Sequence, residues 1–162
     1  MLRLIEILVE RLLPPPIHRA ALKIAHKVRH RWRLIAKPEL SGVTLLLRNA
    51  DGHLLLVRHN YGPDVWSLPG GGMDKGEDPE EAIRREMREE LSIELRALAF
   101  LGTVDETLSG TRHTAQVFTA TTSDGIEPDG REIAHARFFP LNALPHDIGD
   151  IAHRRIDRFD LD

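Results

Sequence analysis

The chain has 162 residues and a hydrophobic fraction of 41%, which is enough for one compact domain with an apolar core. It contains no cysteine, which excludes disulfides, zinc–thiolate sites and cysteine nucleophiles and is typical of a reducing cytoplasm. The net charge of −3 is unevenly distributed, since residues 1–37 carry nine Lys/Arg against two Glu, and residues 38–162 carry thirteen against twenty-three acidic residues. We therefore predict a basic N-terminal arm, residues 1–37, attached to an acidic domain, residues 38–162.

The basic arm has the pattern of two amphipathic helices. Apolar residues recur at helical spacing from Met1 to Leu13 and again, among many basic residues, from Ile17 to about Leu34. Pro14–Pro16 separates the two, because consecutive prolines cannot continue a helix. The first helix is too short and too charged to span a membrane, and Glu6 and Glu10 interrupt what would be the apolar region of a signal peptide.

The role of the arm has two interpretations. Its apolar side packs on the parent domain or on a second subunit of a homodimer, which is the common fate of amphipathic surface helices. Alternatively, its basic side makes peripheral contact with anionic lipid or with nucleic acid. We favour packing, and we expect no sequence-specific nucleic-acid binding. His18, His26 and His30 alternate with basic residues, which indicates a solvated face rather than a metal site.

From residue 41 onward the pattern changes to short strands. We predict strands at Val43–Arg48 and His53–Arg58, joined by a tight turn at Asn49–Gly52 whose Asp-Gly pair supplies the positive φ that a hairpin favours. A turn-rich loop, His59–Asp64, then leads to Trp66. A loop in this place is suited to substrate contacts.

Residues 70–93 read as a glycine-rich loop that leads into an acidic helix. Asp78 is a good N-cap, Pro79 suits the first helical position, and Glu81 completes a capping box. An apolar stripe repeats every fourth residue from Ile83 to Leu91.

The same helix carries a cluster of glutamates. Glu86, Glu89 and Glu90 lie at i, i+3 and i+4, so we expect their carboxylates to converge on one face. Like charges at this spacing destabilise an isolated helix by about 0.2–0.5 kcal/mol per pair, so the cluster needs solvent or a cation beside it. Magnesium fits, because it prefers carboxylate oxygens together with substrate phosphates. A solvated acidic face is the alternative.

The rest of the domain reads as further strands and a final helix. Alternating Leu95, Ala97, Ala99 and Leu101 predict a long strand over Glu94–Thr107 with one covered face. The remaining predicted elements are a hairpin connection at Leu108–Gly110, a strand at Thr111–Thr122, a polar loop at Ser123–Arg131, a strand at Ile133–Pro140 and a short helix from Ile148.

The glycine-rich loop and acidic helix together resemble the Nudix box of the MutT-like hydrolases. The agreement covers Gly71, Glu77, Arg85, Glu86, Met87, Glu89, Glu90 and Ile93, each at the spacing of the family pattern. Ser92 stands where the family has glycine, just past the last helical turn, where glycine tolerates a left-handed backbone. Trp66–Pro69 is similar to the usual lead-in. The resemblance, over about residues 41–145, implies an α/β Nudix fold, a mixed β-sheet between helices.

The resemblance also implies a chemistry. Family members hydrolyse a nucleoside diphosphate linked to another moiety, with Mg²⁺ as cofactor and Mn²⁺ as an alternative. It implies that the ion is held by Glu86, Glu89, Glu90 and the carbonyl of Gly71, while Glu77 lies outside the direct ligands and pairs with Arg85.

Two questions about the site remain open in the sequence. The general base is either Glu90 or an acid of a later loop, with Glu132 as the best candidate there and Glu127 and Asp129 as weaker ones. For substrate contacts, Tyr61 and Trp66 are candidates to stack on a base and Arg58 to reach a phosphate. Ordinary packing aromatics and a sheet-edge ion pair are the alternatives. Arg112 and His113 are weaker candidates for a phosphate contact.

The identity of the nucleotide substrate is not set by the sequence. The proline or tyrosine that, by resemblance, marks members acting on ADP-ribose or diadenosine polyphosphates has no counterpart near Ser109 and Gly110. This weakly disfavours both substrates and leaves nucleoside triphosphates and other nucleotide conjugates open. The alternative function is a non-catalytic Nudix module that senses a nucleotide or binds a partner. Retention of every expected carboxylate argues against it.

Overall fold

The computed structural model describes residues 40–108 and 110–159, and the predicted helical arm, residues 1–37, lies outside them. The described elements are β1 (Leu40–Arg48), β2 (Leu54–His59), β3 (Gly70–Gly72), α1 (Pro79–Leu91), β4 (Leu98–Leu108), β5 (Thr111–Thr121), β6 (Ile133–Phe139), a 3₁₀ turn (Leu141–Ala143) and α2 (Asp150–Arg158). Neither helix of this described part is long and apolar enough to cross a membrane.

The six strands form one mixed sheet, in which five follow the order β4-β5-β1-β2-β6 and β3 pairs with β1 outside this order. β1 and β5 run parallel, from the pair Leu40–His113 to the pair Arg48–Thr121, and the other neighbours are antiparallel. β3 pairs with the first half of β1, while the start of β2 pairs with its end. The central strand β1 therefore has the glycine-rich segment directly beside it.

Two apolar clusters show that the sheet lies between the two helices. Side chains alternate along β1, with Leu45 and Leu47 on one face and Leu46 on the other. The cluster that includes α1 consists of Val43, Leu45, Leu47, Leu55, Val57, Ala82, Ile83, Met87, Leu91, Ile93, Leu95, Phe118, Ala120 and Ile133. The cluster that includes α2 consists of Leu46, Leu54, Leu56, Leu68, Val104, Val117, Phe139, Ala152 and Ile156. The predicted mixed sheet between helices is confirmed.

The predicted β1–β2 hairpin is also confirmed. Gly52 has φ +77°, and its N–H donates to the Asn49 carbonyl at 3.0 Å. The Asn49 side-chain oxygen accepts the N–H groups of Asp51 and His53. The turn is held by local contacts, which is why its residues predict it.

Two predictions about strands need correction. The long strand starts at Leu98 rather than at Glu94, and Ala97 and Ala99 are exposed rather than covered. The preceding segment instead packs Leu95 into the α1-side core, and the register shifts between Phe100 and Gly102. Alternation along the sequence therefore did not indicate the buried face.

The glycine-rich loop of the prediction contains a strand, β3. Glycines carry no side-chain pattern from which a strand can be read. Gly70 has φ +144°, and a Cβ on it would overlap the Val43 carbonyl of β1. Glycine is needed here because the two backbones approach closely.

Helix α1 begins and ends where the sequence indicates. The Asp78 carboxylate accepts the N–H groups of Glu80 and Glu81, at 2.9 and 3.2 Å. At the other end Ser92 adopts the left-handed conformation, with φ 57° and ψ 32°, and the N–H of Ile93 donates to the Met87 carbonyl at 3.1 Å. Ser92 is the one non-glycine residue with positive φ in the described ranges.

Replacing Ser92 by glycine is expected to stabilise the domain by about 0.5–1 kcal/mol. A residue with a Cβ loses roughly 1–2 kcal/mol in the left-handed region, and the greater freedom of glycine in the unfolded chain offsets part of the gain. Urea denaturation of both proteins measures the difference. Ser123→Gly, at an exposed loop residue without positive φ, is the control, and an equal gain there would contradict a conformational cause.

Candidate active site

The three glutamates of α1 occupy different environments. Glu90 is 6% exposed, the side chain of Glu86 is 13% exposed, and that of Glu89 is 60% exposed. Glu86 and Glu90 therefore face the protein, while Glu89 lies at its solvent edge. In residues 40–108 and 110–159 no group of three acidic or histidine side chains is already placed to hold a metal ion, and metal binding by the three glutamates stays a prediction.

Arg85 ties the glycine-rich segment to α1. Its Nε and Nη2 atoms donate to the two carboxylate oxygens of Glu77, at 2.9 and 3.1 Å, and its Nη1 donates to Glu86 at 2.8 Å. Glu77 also accepts the N–H of Asp74 at 2.8 Å. The guanidinium is thus shared between a loop carboxylate and a helix carboxylate, which fixes their relative position.

Glu86 lies directly against Gly71 of β3. A Cβ on Gly71 would overlap the Glu86 carboxylate. Burial raises the pKa of Glu86, and Arg85 lowers it in part. Because glycine has no side chain, the Glu86 carboxylate occupies the space beside Gly71.

Gly71→Ala is expected to displace the Glu86 carboxylate and to reduce any metal-dependent activity at least about tenfold, by analogy with the loss of a group that orients a metal ligand. Folding should change little, because the overlapping atoms are the movable end of a side chain. Initial rates with Mg²⁺ and the melting temperature test both statements. Gly72→Ala is the matched control, since a Cβ there meets nothing within 4 Å. Equal rates for the two variants would contradict the packing argument.

Glu90 is the most unusual group of the site. Its Oε2 atom has no hydrogen-bond partner among the described residues. Burial raises the pKa of this carboxyl well above its usual range, and four neighbouring carboxylates add to the effect, namely Glu86, Glu132, Asp129 and Glu89. A buried carboxylate in this position needs a proton or a cation. The donor set, all hard oxygens, suits Mg²⁺ or Mn²⁺.

The loop of residues 127–132, called here the acid loop, is attached to the end of α1. The N–H of Asp129 donates to the Glu90 carbonyl at 2.9 Å, and the N–H of Glu127 donates to the Leu91 carbonyl at 3.2 Å. The Asp129 carboxylate accepts the N–H groups of Arg131 and Glu132 in the same loop and of Ile133 at the start of β6. Asp129 therefore shapes the loop, and Glu127 is exposed.

Glu132 lies close to the α1 carboxylates. It is half-buried, and its charge contributes to the raised pKa of both Glu86 and Glu90. The Tyr61 hydroxyl donates to the Glu132 carboxylate at 2.9 Å. Asn60, which the sequence analysis did not single out, holds the acid loop from the end of β2. An asparagine in a turn-rich loop gives no signal of such a contact.

Arg58 and Trp66 are not brought to the α1 carboxylates. Arg58 forms ion pairs with Asp64, at 2.8 Å, and with Asp147, and its guanidinium stacks 4.9 Å from the Trp66 ring centre. Trp66 packs on Phe139, on the α2 side of the sheet. Of the three proposed substrate contacts only Tyr61 lies beside the acidic residues, and contact of Arg58 or Trp66 with substrate stays a prediction.

A cleft of about 190 Å³ opens on the α2 side of β3. Arg155 of α2 pairs there with Glu106 and donates to the Thr44 hydroxyl, and His113 lies 3.3 Å from Glu106. The lining residues are Gly42, Val43, Thr44, Leu68, Gly70, Gly71, His113, Ile151 and Arg155. Because Gly71 also contacts Glu86, β3 is shared by the cleft and the acidic site.

Sequence comparison finds relatives that match part of the chain. An RNA pyrophosphohydrolase of Rhodospirillum rubrum is 46% identical over 54 residues, which are 33% of this chain and 33% of that protein. An RNA pyrophosphohydrolase of Azorhizobium caulinodans is 40% identical over 83 residues, which are 48% of this chain and 48% of that protein. A putative ADP-ribose pyrophosphatase, YjhB, of Bacillus subtilis is 32% identical over 100 residues, 59% of this chain and 48% of that protein. The chain thus spans about a third to a half of the length of these curated relatives.

Solved structures and a family model match most of the chain. A MutT NUDIX hydrolase from Burkholderia pseudomallei is 27% identical with a TM-score of 0.67, covering 74% of this chain and 97% of that one. The MutT protein of Methanosarcina mazei is 27% identical with a TM-score of 0.63, covering 76% and 94%. The model of the NUDIX domain matches residues 38–159. Together with the box on α1 and the sheet between two helices, these matches show that the chain belongs to the Nudix family.

Proposed function

We propose that the chain is a Mg²⁺-dependent hydrolase that cuts the diphosphate linkage between a nucleoside and another moiety. The observation that carries this proposal is Glu90, a buried carboxylate whose Oε2 has no hydrogen-bond partner in the described ranges. It lies beside Glu86 and Glu132. Such an arrangement destabilises the protein unless a proton or a cation binds there, and a divalent cation suits a group of several carboxylates.

The residues present fit a divalent ion. Glu86 and Glu90 would hold it from α1, Glu89 from the solvent edge and the Gly71 carbonyl from β3. When bound, the ion neutralises charge on a diphosphate and acidifies a bound water. Arg85, paired with Glu77, keeps Glu86 aimed at this position. Because Glu90 is committed to the cation, we assign proton acceptance from the attacking water to Glu132.

The substrate class is proposed from two supports. Relatives are named for pyrophosphohydrolysis of RNA and of ADP-ribose, and both names describe cleavage of a pyrophosphate bond in a nucleotide compound. The cleft beside β3, at about 190 Å³, is smaller than the roughly 300–1,000 Å³ of a complete ligand pocket. It therefore suits one moiety of the substrate rather than the whole molecule.

A substrate panel tests the proposal. Nucleoside triphosphates, nucleoside diphosphate sugars, ADP-ribose, dinucleoside polyphosphates and RNA with a 5′-triphosphate are incubated with the full chain in Mg²⁺, Mn²⁺ or EDTA. Released phosphate, pyrophosphate and nucleoside monophosphate are measured. We expect turnover of at least one class with either ion and none in EDTA. Absence of turnover, with metal-dependent ligand binding in calorimetry, would favour the non-catalytic nucleotide-sensing alternative.

The assembly and location of the protein are also proposals. A homodimer formed through the basic arm predicts twice the chain mass in light scattering. Peripheral membrane contact predicts that the full chain sediments with anionic vesicles but not with neutral ones. We favour packing of the arm, on the parent domain or in a homodimer, over membrane contact. Because the chain has no cysteine, we propose a cytoplasmic location.

A further inference from the structure

The acid loop is held between two elements of the fold. On one side, the N–H of Asp129 donates to the Glu90 carbonyl at the end of α1. On the other side, Asn60 follows β2 and makes three hydrogen bonds to the loop. Its N–H donates to the Glu132 carbonyl at 2.8 Å, and its Nδ2 donates to the carbonyls of Gly130 and Arg131 at 3.2 and 3.0 Å.

Tyr61 extends this attachment to the Glu132 side chain. Its hydroxyl donates to Oε2 of Glu132 at 2.9 Å, and its half-buried ring lies 5.2 Å from the His59 ring. A hydrogen bond to an ionised acceptor is roughly twice as strong as one between neutral groups. A tyrosine has only two side-chain torsions, so little freedom is lost in holding such a contact.

Glu132 needs such a contact because of the charges around it. Its carboxylate lies near Glu86 and Glu90, and like charges in a partly buried site repel each other more strongly than in water. A hydrogen-bond donor at the Glu132 carboxylate offsets part of this repulsion. The donor, Tyr61, follows Asn60 directly in the chain, and the hydrogen bonds of Asn60 fix this segment to the loop.

We propose that Tyr61 is a positioning residue that, together with Asn60, holds the Glu132 carboxylate beside Glu86 and Glu90 for proton transfer from the attacking water. The inference rests on the proposed hydrolase function. It also gives Tyr61 a different role from stacking on a base, since the hydroxyl and not the ring face makes the decisive contact.

Kinetics of Tyr61→Phe on the best substrate of the panel are the first test. We expect kcat to fall about tenfold, with KM within about twofold of the wild-type value. General base catalysis raises the rate about 10²–10⁴-fold, so kcat of Glu132→Gln is expected to fall further than kcat of Tyr61→Phe. The double variant should be no slower than Glu132→Gln alone, because the hydroxyl acts through that carboxylate. An unchanged kcat, an additive double variant, or an increase confined to KM would overturn the proposal.

Hydrogen exchange gives a readout that does not depend on activity. Tyr61→Phe and Asn60→Ala are expected to raise amide exchange about tenfold in residues 129–133, with the exchange of β1 and β5 unchanged. Asn142→Ala, at an exposed residue of the 3₁₀ turn, is the matched control. If the wild-type chain turns over nothing in the panel, the proposed function fails, and exchange alone then decides whether Tyr61 and Asn60 hold Glu132. Wild-type exchange in both variants would overturn the proposal.

Discussion

Glu90→Gln is expected to abolish hydrolysis, lowering kcat with Mg²⁺ by more than the roughly 10–100-fold that follows loss of a group that orients a metal ligand. The glutamine keeps the shape of the side chain but carries no charge for the cation. Glu89→Gln is expected to have the same effect, because Glu89 is the ligand proposed at the solvent edge. Rates of product release at saturating substrate, over a range of Mg²⁺ concentrations, measure both losses.

The control for these variants is Glu80→Gln, which removes one carboxylate from the same helix. Glu80 pairs with Arg84 and is exposed, away from the proposed ligands. Its rate should stay within about twofold of wild type, because Glu80 touches no proposed ligand. Loss of the exposed ion pair costs only about 0.3–0.5 kcal/mol of folding stability. Wild-type rates for both Glu89→Gln and Glu90→Gln would show that the metal assignment is wrong.

Without divalent ions, Glu90→Gln is expected to stabilise the protein by about 1–3 kcal/mol at pH values where the folded protein carries Glu90 ionised, because the glutamine removes a buried charge that lacks a partner. The pKa of Glu90 is higher in the folded state than in the unfolded chain. The folded state therefore binds this proton more tightly, and stability falls as pH rises from the unfolded pKa, about 4.3, through the raised folded pKa. The penalty is complete above the folded pKa and disappears below the unfolded one.

Urea denaturation in EDTA at several pH values measures this difference. The advantage of Glu90→Gln should be largest above the folded pKa of Glu90 and should shrink as the pH falls toward the unfolded pKa, about 4.3. Adding Mg²⁺ should reverse the order, because an ion that binds only the folded wild type stabilises it by about 2.7 kcal/mol at 100 times its Kd. Glu89→Gln, at a 60% exposed side chain, should differ little in EDTA. An advantage of Glu90→Gln in EDTA that does not grow with pH would contradict the burial argument.

Both predictions describe one physical trade-off. The carboxylates that would bind the cation are held together by the fold although they repel one another in its absence. Arg85 offsets part of this repulsion at Glu86, while at Glu90 burial is the main cause of the raised pKa, with neighbouring carboxylates adding to it. The apolar cores on both faces of the sheet must supply the stability that this arrangement removes.

The sequence by itself determined the elements that depend on local contacts. The start of α1 is set by Asp78 and its end by the left-handed Ser92, both within a few residues of the helix they limit. The β1–β2 turn depends in the same way on Asn49 and Gly52. The box spacing likewise identified the family, because its residues lie on one loop and one helix.

Only the tertiary structure decided which of these residues share an environment. In the sequence pattern Glu86, Glu89 and Glu90 are equivalent candidates for metal binding. Packing of α1 on the sheet buries Glu90 and most of Glu86 and leaves Glu89 exposed. Contacts between segments far apart in the chain, such as Tyr61 with Glu132, place the acid loop at the site. Burial and long-range pairing depend on how the elements are packed, and this cannot be read from the local residue pattern.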